Sequence, residues 1–300
     1  MRFCDIRDVC AFLAKHRPQI TSYGCSSEVV TGDHGELLEV PAIKPTTLFR
    51  GQTKAYDTLR PSIYQKYPPL STWQQSRTLR IDDDSLAMPH PHYSATLERD
   101  FYFSCTKAID LIRDVAQRFP EYPEEKVDGH ALCQHYGLPT HYLDFSECAW
   151  TAAFFASHKF CDGSFSPCSE GIGVLYVLEL DQIPPGRLYE IGFQPLPRPS
   201  AQRGWLLRVT PEINLLAHPA VWEIHFQHSA AASKAIGERF REGKDLLPRD
   251  EIGKYIEKRL SERTVPRDAI EAYLIRVPED YRPTLRASME RLFEGAIVVT

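Results

Sequence analysis

From Cys148 to Ala156 nearly every position is apolar, with no polar stripe at helical spacing, so the run predicts a helix enclosed in the core. Just before it, Thr140 to Phe145 alternates, with Tyr142 and Asp144 on one face and His141, Leu143 and Phe145 on the other. That is the pattern of a strand. Ser146 stands at the junction as a candidate helix N-cap. Upstream, Leu138-Pro139 disfavours helical geometry. A helix expected over about 124–136 therefore ends near Tyr136, with Gly137 as a left-handed cap.

The rest of the chain adds weaker signals of the same two kinds. Apolar positions near helical spacing predict helices over 3–15 and 97–119, the second stopped by Pro120. Residues 20–40 read as a loop or hairpin, and Thr46–Gln52 as a strand. Residues 65–96 read as an irregular surface excursion. Gly163–Gly173 reads as a loop, Ile172–Leu180 as the clearest core strand, and Pro195–Pro199 as a proline-spaced connection. Strands are expected at Trp205–Val209 and Ala220–Phe226. Residues 231–262 and 267–295 read as helical, the charged stretch 249–262 as solvated, and Gly295–Thr300 as an edge strand.

Composition bounds this picture. The 300 residues are 43% hydrophobic and 11% aromatic, enough to core one large domain or two modest ones. The 23 prolines and 16 glycines argue against a helical bundle or a repeat array. A net charge of −5 and a pI near 6.1 disfavour nonspecific binding to nucleic acid or to an anionic membrane. No run reaches the roughly 18–20 apolar residues of a spanning helix, and the charged N-terminus is unlike a signal peptide, so the expected location is cytoplasmic. Eight cysteines without a CxxC pair read as reduced thiols, Cys133 and Cys148 buried among them. Cys161 and Cys168 flank a Gly/Ser/Pro loop as the one disulfide alternative. Asp82-Asp83-Asp84 reads as a solvated loop, and His90 and His92 lack a third ligand, so no metal is expected.

Two places carry candidate chemistry. Arg50, at a strand end and followed by Gly51 and Gln52, suits recognition of a phosphate or ribose through its planar fork; pairing with an internal carboxylate such as Asp144 explains it equally well. Gln134, His135, Tyr136 and Asp144 surround the turn before the core helix. They read either as a pocket wall beside a helix N-terminus or as a buried hydrogen-bond network that fixes the turn, with Asp144 and Ser146 capping the helix. His218, His225 and His228 have no regular ligand spacing and read as structural. GxSxG, HExxH and P-loop patterns are absent.

Three stretches together resemble the FRG domain family, named for its Phe/Tyr-Arg-Gly signature: Leu48-Phe49-Arg50-Gly51-Gln52, Gln134-His135-Tyr136-Gly137-Leu138-Pro139-Thr140 with Leu143-Asp144, and Ala201-Gln202-Arg203-Gly204. The likeness covers roughly residues 20–230, leaving an N-terminal helix over 1–19 and a helical extension over 231–300 packed on the same domain. The chain departs from the family at His141, where an arginine is usual, and at Phe145, where a tryptophan is usual. At fold level the layout is similar to ADP-ribosyltransferase-like proteins, which implies an α+β fold with a mixed or antiparallel central sheet flanked by helices. The resemblance also implies a site. Arg50, Gly51 and Gln52 would hold the substrate with His135, Tyr136, Thr140, Tyr142 and Ser146; Tyr136 or Tyr142 would stack on nicotinamide; and Gln202, Glu223 and Asp144 are the catalytic candidates. On that reading NAD is a substrate and no cofactor is needed. The protein would be an ADP-ribosyltransferase or NAD glycohydrolase, a toxin or defence effector, with a small-molecule nucleotide as partner and no protein target specified. The alternative is a non-catalytic module that binds a ligand or partner.

Overall fold

The structure, a computed structural model, describes residues 2–16, 27–31, 37–41, 45–65, 95–122, 129–161, 163–183, 187–192, 196–210, 213–249, 251–262 and 264–293. Asp82–Asp84, His90, His92, Cys25 and the strand expected at Gly295–Thr300 lie outside the described residues, as does nearly all of the expected excursion at 65–96. In chain order the elements are β1 (Arg2–Phe3), α1 (Ile6–His16), β2 (Ser27–Thr31), β3 (Leu37–Pro41), β4 (Thr47–Gln52), α2 (Ala95–Arg118), α3 (Gly129–His135), β5 (Tyr142–Ser146), α4 (Ala149–Ser157), β6 (His158–Cys161), β7 (Ser164–Pro167) and β8 (Ile172–Glu179). They continue with β9 (Leu188–Glu190), α5 (Pro197–Gln202), β10 (Gly204–Arg208), β11 (Val221–Gln227), α6 (Ala230–Arg239), α7 (Glu251–Ser261), α8 (Arg267–Ile275) and α9 (Arg282–Phe293). The fold is α+β, with a mixed seven-stranded sheet flanked by helices.

The chain divides into two compact units. The first comprises Met1–Ala55, Phe145–Ile183 and Pro219–Gly243. Its sheet runs β1-β11-β8-β4, and β4 meets the end of β5 through the pair Phe49–Ser146. β1 lies parallel to β11, whereas β11 with β8 and β8 with β4 are antiparallel. β2 and β3 form a hairpin, one of the two outcomes expected of residues 20–40.

The apolar helix α4 packs against β4 and β8, and α1 and α6 pack against α4. Ala149, Ala152, Ala153, Phe154 and Ala156 are all buried. Its small residues let the backbone come very close to the strand. A Cβ added at Gly51 would lie 1.8 Å from the Ala152 carbonyl oxygen and 2.6 Å from the Ala156 nitrogen. Gly51 is thus required by the packing of the helix on the strand. At the far end of α4, the Phe154 ring stacks on His158 with centroids 4.3 Å apart, while Phe165 and Phe240 meet its edges.

Two local expectations in this unit change. The span read as a loop at 163–173 begins with β7, which pairs with β6 in a hairpin. The N-cap of α4 is Cys148, not Ser146; the Ser146 hydroxyl instead accepts the Cys148 N–H at 3.0 Å.

The second unit comprises Tyr56–Asp144, Pro184–His218 and Lys244–Thr300. Its spine is α2, a 24-residue helix that packs on one side with α8 and α9 through Phe101, Tyr102, Cys105, Ile270, Leu274 and Met289. Its other side meets α3 and α7 through Leu111, Val115, Leu132, Cys133, Ile252 and Ile256. α7, read from its charges as solvated, is therefore amphipathic and docked. Arg259 binds Asp110 and Asp114 of α2 at 3.2 and 2.7 Å, and Asp110 also neutralises the buried Lys107 at 2.9 Å. The stretch read as a proline connection contains the short helix α5. Pro197 occupies its first turn, where the missing N–H costs nothing.

Cys4, Cys10, Cys105, Cys133, Cys148, Cys161 and Cys168 are free thiols, so the Cys161–Cys168 alternative is not formed. Cys133 is buried as expected, whereas Cys148 is half-buried. Burial pushes the Cys10 and Cys105 thiols up to about 12, which leaves them unreactive at neutral pH. Among the described residues, no helix is long and apolar enough to cross a membrane.

The contact at Gly51 yields a direct test. Gly51→Ala forces backbone against backbone, which has no side chain to yield, and is expected to destabilise the first unit by roughly 3 kcal/mol. Urea denaturation checks this: the midpoint falls at unchanged slope if the fold survives.

Candidate functional site

In the first unit, α4 occupies one face of β4, the face of Phe49 and Gly51, so strand alternation sends Leu48, Arg50 and Gln52 to the other. Register then sets several polar side chains in neighbouring positions on that face. Arg50 lies opposite Tyr176 of β8, and Tyr176 lies opposite Glu223 of β11. One step along, Gln52 lies opposite Val174 and Val174 opposite His225. Arg50 and Glu223 are thus two strands apart, about 10 Å between backbones at the usual spacing.

These groups differ in exposure. Tyr176 is fully buried at the centre, while the Glu223 and His225 side chains keep 32 and 29% of their surface. His225 Nε2 lies 3.1 Å from Glu223 Oε2, so the imidazole braces the carboxylate. Continuing the antiparallel register by one step from Phe49–Ser146 places Phe145 beside Arg50. Ser146 shares the face of Phe49 and α4, so it does not share Arg50's face.

The second unit contains the polar turn. α3 ends in His135; Tyr136 and Gly137 follow, with Gly137 at φ +103° as a residue without Cβ allows. The Leu138 N–H returns to the Cys133 carbonyl at 2.8 Å, which closes the helix end. A directed chain of hydrogen bonds ties this helix to β5. The Tyr142 N–H donates to Thr140 Oγ1 at 3.2 Å, the Thr140 hydroxyl donates to Gln134 Oε1, and Gln134 Nε2 donates to Asp144 Oδ2 at 2.7 Å. The other carboxylate oxygen, Asp144 Oδ1, lies 3.6 Å from His135 Nε2.

The His135 side chain is 4% exposed and that of Asp144 34%. Burial drives the His135 pKa below its ordinary value; the Asp144 carboxylate opposes this, the Arg198 guanidinium adds to it, and a hydrogen bond with Gln202 opposes it. The imidazole is therefore neutral at pH 7.

Around this core the placement of the remaining candidates is mostly structural. Tyr136 lies under the Arg198 guanidinium, 4.2 Å from ring centre to Cζ, and belongs to the core that holds α2 to α7. Tyr142 is buried against Ile191, Leu206 and Tyr189, with the His141 ring tilted against it at 4.3 Å between centroids. His141 also meets Phe101 at 5.5 Å between ring centres. Gln202 donates from Nε2 to the Leu246 carbonyl at 3.0 Å. Arg203, which follows it, adopts the left-handed conformation that turns the chain into β10.

Residues 45–163 match the sequence model of the FRG domain family. The match takes in Leu48–Gln52 and the Gln134–Asp144 turn, so it draws on both units, while Ala201–Gly204 lies outside it. No curated protein and no solved structure matches the chain.

Two participants were missed in the sequence. Arg198 donates to the His135 carbonyl at 3.3 Å and pairs with Glu257, and its only sequence signal was an arginine between two prolines at a helix start. His225, read as structural, proves to be the neighbour of Glu223, and its signal was the i, i+2 spacing on one strand face.

The neutral imidazole sets a pH dependence. Because its folded pKa lies below the unfolded value of about 6.5, His135 contributes stability fully above that pH and loses it as pH falls toward the folded pKa. The His135 ring resonances are expected to titrate below pH 6.5 by NMR. His135→Gln should flatten its share of the acid-side loss in thermal stability.

Proposed function

We propose that this polar face of the first unit is the site of an NAD-consuming enzyme, of the glycohydrolase or ADP-ribosyltransferase type. The observation that carries this reading is register: Arg50 and Glu223 share one sheet face, separated by the strand of Tyr176. Arg50 takes the pyrophosphate through charge-assisted hydrogen bonds. Glu223 stabilises the positive charge that develops on the ribose as the bond to nicotinamide breaks. The bond's electron pair leaves with the pyridine ring, neutralising its charge, and the oxygen of water or of an acceptor closes on the ribose carbon and loses its proton to solvent.

Among the three catalytic candidates, Glu223 fits this role best. Gln202 carries no charge and its amide is committed to Leu246. Asp144 is tied to Gln134. Tyr136 and Tyr142, the candidates for stacking, serve the cores of the second unit.

A second reading is favoured by one observation: Asp144 is half-exposed yet rigidly oriented, as a recognition carboxylate in a non-catalytic binding module would be. The two readings part experimentally. Purified protein is expected to release nicotinamide from NAD. Glu223→Gln should lower kcat by about 100- to 1000-fold with little change in KM, and Arg50→Ala should raise KM at least tenfold. NAD binding without release, abolished by Asp144→Asn and indifferent to Glu223→Gln, would favour the binding module instead.

A further inference from the structure

Where α4 runs into β6, the first unit buries a histidine that the proposed chemistry does not use. His158 is 3% exposed, its ring stacked on Phe154. Its Nδ1 lies 3.1 Å from the Phe154 carbonyl oxygen and 3.0 Å from Ser157 Oγ, whose own proton goes to the Ala153 carbonyl at 2.8 Å. Both neighbours therefore accept. Nδ1 carries the proton, and Nε2 is a bare lone pair. That nitrogen is shut off from solvent and has no hydrogen-bond partner among the described residues.

The turn after α6 closes over it. A Cβ added at Gly237 would lie 2.8 Å from His158 Nε2 and 2.7 Å from Glu242 Oε2, so imidazole and carboxylate face each other across the glycine without bonding. Among the described residues, Glu242 is the charged group whose field is felt at the ring. Arg241 and Glu242 take φ of +48° and +58°, two successive side-chain-bearing residues in the left-handed region. Such a backbone persists only while its surroundings hold it. Here they are aromatic: a Cβ added at Gly243 would come 2.4 Å from the Phe165 ring and 2.9 Å from that of Phe154, and Phe240 meets Phe154 at 5.6 Å between centroids.

We propose that His158 and the turn at 240–243 form an acid-released clasp on the β6–β7 hairpin, in which a proton on Nε2 opens the turn and frees Phe165 and Phe240. In the closed turn that proton meets no acceptor at bonding distance. Burial outweighs the help of the Phe154 carbonyl and of Glu242, and holds the His158 pKa below its ordinary value. In the open turn the ring meets water and binds the proton better. The clasp is therefore fully closed above about pH 6.5, and below it the opening equilibrium grows by up to about tenfold per pH unit until the closed-state pKa is reached. What opens is apolar. Phe160, 56% exposed, already packs on Phe165 at 4.8 Å, so release of Phe165 enlarges one aromatic surface. The clasp stands independently of the NAD reading.

Native-state hydrogen exchange of the full chain at pH 7.5 and 5.5, corrected for the intrinsic pH dependence of exchange, tests this. Amides of 158–167 and 237–243 are expected to open at least about threefold more at pH 5.5, beyond any change in β8. Glu242→Gln should deepen that loss, because it removes the charge that steadies a protonated ring in the closed turn. His158→Gln, which takes up no proton, should abolish it. If His158→Gln fails to fold, the wild-type His158 ring resonances decide, since their titration must run in step with the loss of protection. Protection that stays constant or rises at pH 5.5 overturns the proposal. So does a loss that persists in His158→Gln, that β8 shares equally, or that is out of step with the ring.

Discussion

The backbone contact between α4 and β4 organises the first unit. Ala152 and Ala156 present main chain where larger residues would present side chains, and Gly51 removes the last atom that would hold the strand away. Helix and strand can come this close only if the helix is apolar all round and small where it touches, and the stretch from Ala149 to Ala156 is mostly both. The consequence reaches the chemistry. With α4 covering the Gly51 face, Arg50 and Gln52 have only the opposite face available. The registers of β4 on β8 and β8 on β11 then decide which groups stand beside them. Gly51, the middle residue of Arg50-Gly51-Gln52, is thus a packing requirement, and it fixes the face to which its two neighbours point.

The second unit meets a different constraint, the satisfaction of buried polar groups. Gln134, Thr140 and His135 lie at the end of a helix whose turn is closed by backbone hydrogen bonds, so their side chains need partners within the turn. The chain from the Tyr142 N–H through Thr140 and Gln134 to Asp144 supplies Gln134 and Thr140 with theirs, every donor direction specified. Such a network has one low-energy arrangement. Loss of a central member such as Gln134 would leave the Thr140 hydroxyl and the Asp144 carboxylate each short of a partner. That interdependence holds the turn in one arrangement whether or not it touches a ligand.

Much of this was legible in the sequence where the signal is local. The all-apolar helix, the alternation across β5, the core strand β8 and the glycine cap at 137 each follow from spacing or from the demands of one residue. What was not legible depends on which distant backbone arrives. Gly51 announced a close approach, but a sequence cannot say whether a ligand or a helix makes it. The meeting of Arg50 with Glu223 spans more than 170 positions and follows only from two registers. Pro197 and Pro199 read as breakers because prolines usually are, yet the first turn of a helix tolerates them, and α5 with Arg198 was hidden for that reason. The charges of α7 masked its buried Ile252 and Ile256, since a docked helix whose polar side forms ion pairs with its neighbour has the same composition as a solvated one.

On the proposed reading, Glu223 would stabilise charge at a ribose, and its partial burial suits that role. A carboxylate wholly buried without a cation would take up a proton and lose the charge it is meant to supply, and one fully in water would be screened. Glu223 lies between these limits, two-thirds covered, with the His225 imidazole 3.1 Å away to orient it and a cation, Arg50, across one strand on the same face. On the proposed NAD reading, the pyrophosphate would lie toward the arginine and the ribose toward the carboxylate, two strands away. A sheet is well suited to this. Its strand spacing fixes the separation, its pleat fixes the face, and neither can relax when the substrate arrives, so the cost of orienting the charged groups is met in folding and not in the reaction.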